Sequence, residues 1–344
     1  MIRAADYWSY FAGEARRSGS PLYALLAERI GADEKLKGLA ARARPGQPQA
    51  NMLLGAVHYL LLRGQHHPLA QYYASLGGSR AASEGDPFAH FAAFVGAHAA
   101  DIASLIETRT TNTNEVGRSA LLHPGFRSLK TKASSALALI EIGPSAGLNM
   151  LWDHYGVRYW RDGRVVLTLA DDRELVIDCE LRGESLPVSG PTPVVATRLG
   201  LELNPADLED AGNRDWLCAL VWPEHVARLT RLRAAIALRR QLHLDIRAGD
   251  ALAHLMAAIA AVPASATVCI YHTIALYQFS RAMKQDLEDL LTVAGLRRPV
   301  FRLGFELATD MRHLLSLRRY HDGVCEEWVL AEAQPHGAWM HWLA

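Results

Sequence analysis

Net charge is the first thing this chain lacks: Lys+Arg and Asp+Glu number 36 each in 344 residues. With no field of one sign, nothing draws the whole molecule to nucleic acid or an anionic membrane, and a small molecule is the expected partner. Cysteine is scarce. Cys179, Cys218, Cys269 and Cys325 lie far apart with no CxxC pair, which argues against a zinc cage or a disulfide framework and suits reduced core thiols. Long apolar runs are missing too: "MIRAADYWSYFAGEARR" has no continuous apolar stretch, and "LAHLMAAIAAV" is interrupted by His254 and ended by Pro263. A cytoplasmic protein with no membrane segment is the expectation. Neither repeats nor low-complexity tracts occur. The one basic concentration, Arg228, Arg231, Arg233, Arg239 and Arg240, spreads over more than one helical face and reads as solvated surface rather than an RNA-binding patch. Adjacent His66 and His67 lack the i, i+4 spacing of a helical metal site, and no metal is expected.

What is present falls into two grammars. Residues 1–130 carry helical punctuation and no convincing strand, predicting an all-helical N-terminal domain. In "SPLYALLAERIG", Ser20 caps, Pro21 suits the first helical position, Leu22, Leu25, Leu26 and Ile30 make a stripe, and Gly31 stops it. "ANMLLGAVHYLLL" is apolar nearly all round, predicting a buried helix, and Asp86-Pro87 opens a long one through "FAHFAAFVGAHAADIASLIE". From 131 to 344 short β-rich runs alternate with helices, the pattern of an α/β domain with a mostly parallel sheet. The predicted strands are 136–142, 194–203, 242–248, 266–272 and 299–307, followed by an antiparallel pair around Asp322-Gly323. Some fifty residues separate the first two, too many for a simple crossover, so a β-rich insertion is predicted at about 156–190, with its own Asp162-Gly163 turn.

The richest stretch is "ALALIEIGPSAGLNMLWDHY", which reads two ways. As GxSxG it is a nucleophile elbow with Ser145 attacking, completed by Asp250, Asp286 or Asp310 and by His313, His321 or His336. The strands such an elbow needs upstream are missing. As ExGxxxG it is a glycine loop at the C-terminal end of the first strand, leading into a helix, where open α/β sheets bind ligands. The spacing is not the GxGxxG of dinucleotide enzymes.

The order of strand, glycine loop, helix, acidic strand end and terminal hairpin resembles a class I S-adenosylmethionine (SAM)-dependent methyltransferase with a Rossmann-like sheet. That resemblance implies a cofactor held by Glu141, Gly143, Ser145, Gly147 and Asn149, with Glu202 of "LGLELNP" on the ribose and Asp250 of "RAGDAL" on adenine. His272 and Tyr277 of "YHTIALY" would lie beside the transferred methyl, His272 as base. The usual loop has glycine where Ser145 stands. "TNEVGRSALLHPGF", "EIGPSAGLNMLWDHY", "ALVWPEHVARLTRLRAA" and "GDAL…YHT…LY" together resemble the bacterial domain-of-unknown-function family 2332, over nearly the whole chain. The expected function is SAM-dependent methyl transfer to a small molecule; a non-catalytic SAM-binding or interaction protein and a serine hydrolase are the alternatives.

Each residue also has a structural explanation. Glu141 could bond loop amides, Asp250 could cap a helix, Glu202 could flank a turn, and His272 and Tyr277 could be packing residues. Asn114, Glu115 and Arg118 of "TNEVGR" could form a cap and an ion pair, or close over the cofactor with Arg118 clamping an anionic substrate.

Overall fold

A computed structural model describes residues 4–111, 113–133, 135–170 and 172–344. In chain order the helices are α1 (Ala4–Arg17), α2 (Pro21–Gly31), α3 (Glu34–Ala40), α4 (Gln49–Leu62), α5 (Pro87–Ala97), α6 (Ala99–Thr108), α7 (Ser119–Lys130), α8 (Ala211–Ala219), α9 (Val226–Arg239), α10 (Ala251–Ala260) and α11 (Arg281–Gly295). The strands are β1 (Leu137–Ile142), β2 (Gly156–Arg161), β3 (Arg164–Leu169), β4 (Val176–Arg182), β5 (Val195–Glu202), β6 (Asp245–Ala248), β7 (Thr267–Thr273), β8 (Val300–Leu307), β9 (His313–His321), β10 (Val324–Ala333) and β11 (Trp339–Trp342). The chain divides into two compact units, one of residues 1–113 with 208–233, the other of 114–207 with 234–344. The division therefore comes before 130, and a later segment containing α8 joins the helical unit.

The helical unit is built on apolar helix faces. Leu22, Leu26 and Ile30 of the expected stripe are buried, and Leu25 packs against the same core. Ser20 does not cap α2 with its own side chain; its hydroxyl bonds Glu224, whose other oxygen accepts the Leu22 amide at 2.8 Å. The long helix expected after Asp86 is two, α5 and α6, bent by 84° where His98 leaves helical geometry. Asp86 does cap α5, through the Ala89 amide. In α4, His58 is fully buried, bonded to the Ala219 carbonyl (2.9 Å) and to Ser75 (2.8 Å), and burial lowers its pKa to about 4. Among the described residues no single helix is long and apolar enough to cross a membrane.

The second unit is a mixed α/β structure on one eleven-stranded sheet, ordered β3-β2-β4-β11-β10-β9-β8-β7-β1-β5-β6. The strands from β8 to β6 run parallel, and β8, β9 and β10 are antiparallel neighbours. Both Asp-Gly turns form as the dipeptides require, with positive φ at Asp162, Gly163, Asp322 and Gly323. The β-rich insertion contains the hairpin β2–β3 around Asp162-Gly163, and because β4 pairs with β11, a four-residue strand that the sequence pattern does not reveal, β2, β3 and β4 extend the main sheet.

Alternation assigns the two faces. α10 and α11 pack on one, above Ile140, Ile142, Val268, Ile270 and Val300. α7 packs on the other, against β2, β4, β8 and β9, and is buried from Ser119 to Leu129. Pro124 inside α7 has no N–H to give the Ala120 carbonyl, which instead accepts the buried Tyr159 hydroxyl. Tyr159→Phe strands that carbonyl, and a loss of about 2 kcal/mol in urea unfolding is expected. A loss under a few tenths would show the carbonyl finds another donor.

Candidate functional site

From β6 to β8 the parallel strands follow chain order in both directions outward from β1: β5 and β6 lie on one side, β7 and β8 on the other. The loops after β1 and β7 thus leave the sheet side by side at the reversal, the place where open parallel sheets form a ligand crevice. Every loop residue of the expected cofactor site lies at this edge.

The loop after β1 winds through left-handed backbone at Gly143 (φ 70°), Ser145 (φ 56°) and Gly147 (φ 79°). Several of its amides are bonded to neighbouring groups. Gly143 N–H donates to the Leu201 carbonyl (3.0 Å), Ser145 N–H to Glu202 Oε2 (2.8 Å) and Leu148 N–H to Asn114 Oδ1 (2.9 Å). Glu202 Oε1 accepts the Asn204 amide at 3.1 Å. Close packing explains the end glycines: a Cβ at Gly143 would lie 3.0 Å from Ala275 Cβ, and one at Gly147 2.8 Å from Ile246 Cδ1. The segment that follows is a seven-residue 3₁₀ helix, Leu148–His154, rather than the expected α-helix, so no α-helical N-terminus faces the loop. In it Asn149 is buried and accepts from Ser119 Oγ at 3.2 Å.

Ser145 Oγ is buried with no hydrogen-bond partner among the described residues. A serine nucleophile needs an imidazole within hydrogen-bond reach, so this geometry lends the hydrolase reading no support. Ser145→Gly removes both a left-handed side chain and an orphaned hydroxyl, and a gain of about 1 kcal/mol in stability is expected from urea unfolding. A loss would mean the hydroxyl is bonded in solution.

Strand phase divides the candidate chemistry. Glu141 stands opposite Tyr271 in register, on the α7 face, and Tyr271 OH donates to Glu141 Oε2 at 2.8 Å. Burial pushes the Glu141 carboxyl up to about 8, against the Tyr271 hydrogen bond and with the help of nearby Glu202. His272, one residue on, faces α11. Its Nδ1 lies 2.8 Å from Glu306 Oε1, its Nε2 is buried without a partner among the described residues, and burial lowers its pKa. Glu306 also accepts the amides of Ala275 (2.9 Å) and Leu276 (3.1 Å). Burial would raise Glu306, but His272 and these amides outweigh it and hold the carboxylate below its ordinary range.

The other candidates are engaged in local contacts or exposed. Tyr277 is 62% exposed on a 3₁₀ turn, where its hydroxyl accepts from Gln278. Asp250 is exposed and caps α10 through the Leu252 amide (2.9 Å). Arg118, expected to clamp an anion, is buried and donates to the carbonyls of Pro335 (2.9 Å) and Thr273 (2.8 Å). Glu115 accepts the Gly117 amide at 3.0 Å and lies 3.4 Å from His336 Nδ1. A cavity of about 250 Å³ opens at the opposite strand ends, by residues 195–198 and 242–245, and no residue of the glycine loop lines it.

Tyr271 and Glu306 are the residues that sequence reasoning misses. The signal for Tyr271 is register against Glu141, which needs the strand pairing first. That for Glu306 is an acid near the end of an apolar strand, the same anomaly that marks Glu141.

No curated protein and no solved structure matches this chain. One family profile does, described as an uncharacterized protein conserved in bacteria, and it covers residues 5–342. The chain therefore belongs to that bacterial family, DUF2332.

Proposed function

We propose that this protein binds SAM at the C-terminal edge of its parallel strands and is a methyltransferase-like protein with a Rossmann-like core. The observation that carries the reading is the pair of acids at neighbouring strand ends. Glu202 closes β5 beside the glycine loop, Ala248 is its register partner on β6, and Asp250 follows two residues on. This set fits an adenosine. Each Glu202 oxygen holds one N–H, and a carboxylate oxygen can accept a second donor, here a ribose hydroxyl. Asp250 bonds Leu252 through Oδ1, so Oδ2 can take an adenine amino proton. When bound, the sulfonium supplies an electrophilic methyl. The chain's own part is to hold the adenosine with Glu202 and Asp250, and to align the amino-acid end near Ser145 and Asn149.

Isothermal titration and thermal shift with SAM and its demethylated product test this. Binding of at least one with a raised melting temperature is expected; no heat and no shift for either at millimolar ligand overturns the proposal.

A second reading, a non-catalytic binding or interaction protein of the same fold, draws on the way polar groups here pair with one another: Glu202 with Ser145, Asn149 with Ser119, and Arg118 with two carbonyls. Incubation with cell extract and labelled methyl donor separates the two, because only a methyltransferase moves label to an acceptor.

A further inference from the structure

The two loops at the reversal of strand order touch, Ala275 lying against Gly143. The β7 loop is held there from both faces of the sheet. On one, Arg118 donates to the Thr273 carbonyl (2.8 Å); on the other, Glu306 accepts from His272 Nδ1 and from the amides of Ala275 and Leu276. Between the anchors Ile274 has φ 50°, its amide tied to the Phe305 carbonyl at 2.7 Å. A β-branched residue in left-handed backbone is an outlier, and it persists only where its surroundings over-determine it. A buried polar atom without a partner among the described residues lies in or beside each loop, Ser145 Oγ within the first and His272 Nε2 on β7 two residues before Ile274.

We propose that Glu306 is a positioning residue, the catch of a gate: it holds residues 274–277 in a strained, closed pose against the glycine loop, and ligand enters where Ala275 meets Gly143 once the catch releases. The identity of that ligand rests on the SAM reading above; the gate itself stands on the geometry. Strain at Ile274 favours the open loop and the three donors on Glu306 favour the closed one. A ligand that binds only the open form needs to overcome the difference alone. The two terms are separable by substitution. Ile274→Gly removes the strain and deepens the closed state, whereas Glu306→Ala releases the catch. Their effects must have opposite signs and must reach the glycine loop as well, which a merely local structural role for Glu306 would not give.

Amide hydrogen exchange on the full chain, followed by mass spectrometry, reads the gate without any ligand. In Glu306→Ala, exchange is expected to rise about tenfold in residues 274–278 and in residues 145–148 together, with α4 unchanged. In Ile274→Gly it is expected to fall in both segments. If Glu306→Ala does not fold, Glu306→Gln, which keeps one acceptor oxygen but loses the charge that strengthens the three bonds on Oε1, takes its place with a several-fold rise. A response confined to residues 274–278, or a rise in Ile274→Gly, overturns the gate. Stopped-flow binding of SAM is expected to speed up in the Glu306 variant and slow down in Ile274→Gly. Should wild type bind no SAM while both loops respond with opposite signs, the gate stands and the cofactor reading falls.

Discussion

Glu141→Gln is expected to raise the stability of the sheet-containing unit by roughly 3 kcal/mol at pH 7. The carboxyl titrates at about 8 in the folded protein against an ordinary 4.5, so between those values the unfolded chain has lost its proton and the folded one keeps it. The native state then binds more protons, and stability falls as pH rises through that window, by about 1.4 kcal/mol per unit. Below 4.5 both states are protonated; above 8 both are ionised and the loss stops growing. A glutamine oxygen still accepts the Tyr271 hydroxyl and carries no charge to desolvate. Urea unfolding from about pH 4 to about pH 9 should therefore give curves for the two proteins that meet at the acid end and separate towards neutrality. Parallel curves, or a less stable variant at pH 7, would show that Glu141 is ionised and fully solvated by its partners.

Gly337→Ala is expected to cost roughly 3 kcal/mol, through left-handed strain combined with overpacking. Gly337 has φ 74°, and a Cβ there would stand 2.2 Å from the Gly117 carbonyl oxygen, a backbone atom that cannot swing aside. Gly163 supplies the control. It has the same φ of 74° with nothing within 4 Å of where a Cβ would stand, so Gly163→Ala carries the strain alone, about 1 kcal/mol. Equal losses in denaturant would mean that backbone conformation, and not the contact with Gly117, requires the glycine. Because Arg118 donates to Pro335 within the same turn, Gly337→Ala is also expected to loosen Arg118 from its carbonyl partners.

Much of the fold was legible because its signals are local. Apolar runs of strand length mark β1, β5, β7, β8, β9 and β10 to within about three residues, and Asp-Gly places both hairpin turns. β11 escaped because four residues, "WMHW", carry no alternation long enough to separate strand from chance. The break at His98 escaped because apolar helix-forming residues continue through both α5 and α6, and no proline marks where one ends and the other begins. The candidate site was legible as a set of residues and not as an arrangement. Glu141 and His272 were both marked, but which face each takes depends on a one-residue offset between β1 and β7, and that offset is a property of the pairing. Ser20 and Arg118 show the same limit. Side-chain type suggests a cap and an anion clamp, while their partners lie far off in sequence: Glu224 is 204 residues from Ser20, and Pro335 and Thr273 are 217 and 155 residues from Arg118.

The placement of β11 also sets an order of events during folding. β2, β3 and β4 precede β5 in the chain, yet among the described residues their ladder joins the rest of the sheet through residues 338–342. Until those residues emerge and dock, β4 presents an unpaired edge, and the region around Val176–Arg182 must wait through the synthesis of more than half of its own sheet. Closure across so long a loop is slow, and an open edge is what recruits other chains. Refolding of the full chain is therefore expected to show a late phase in which β4 becomes protected, and that interval, rather than the native state, is when this protein most needs dilution or a chaperone.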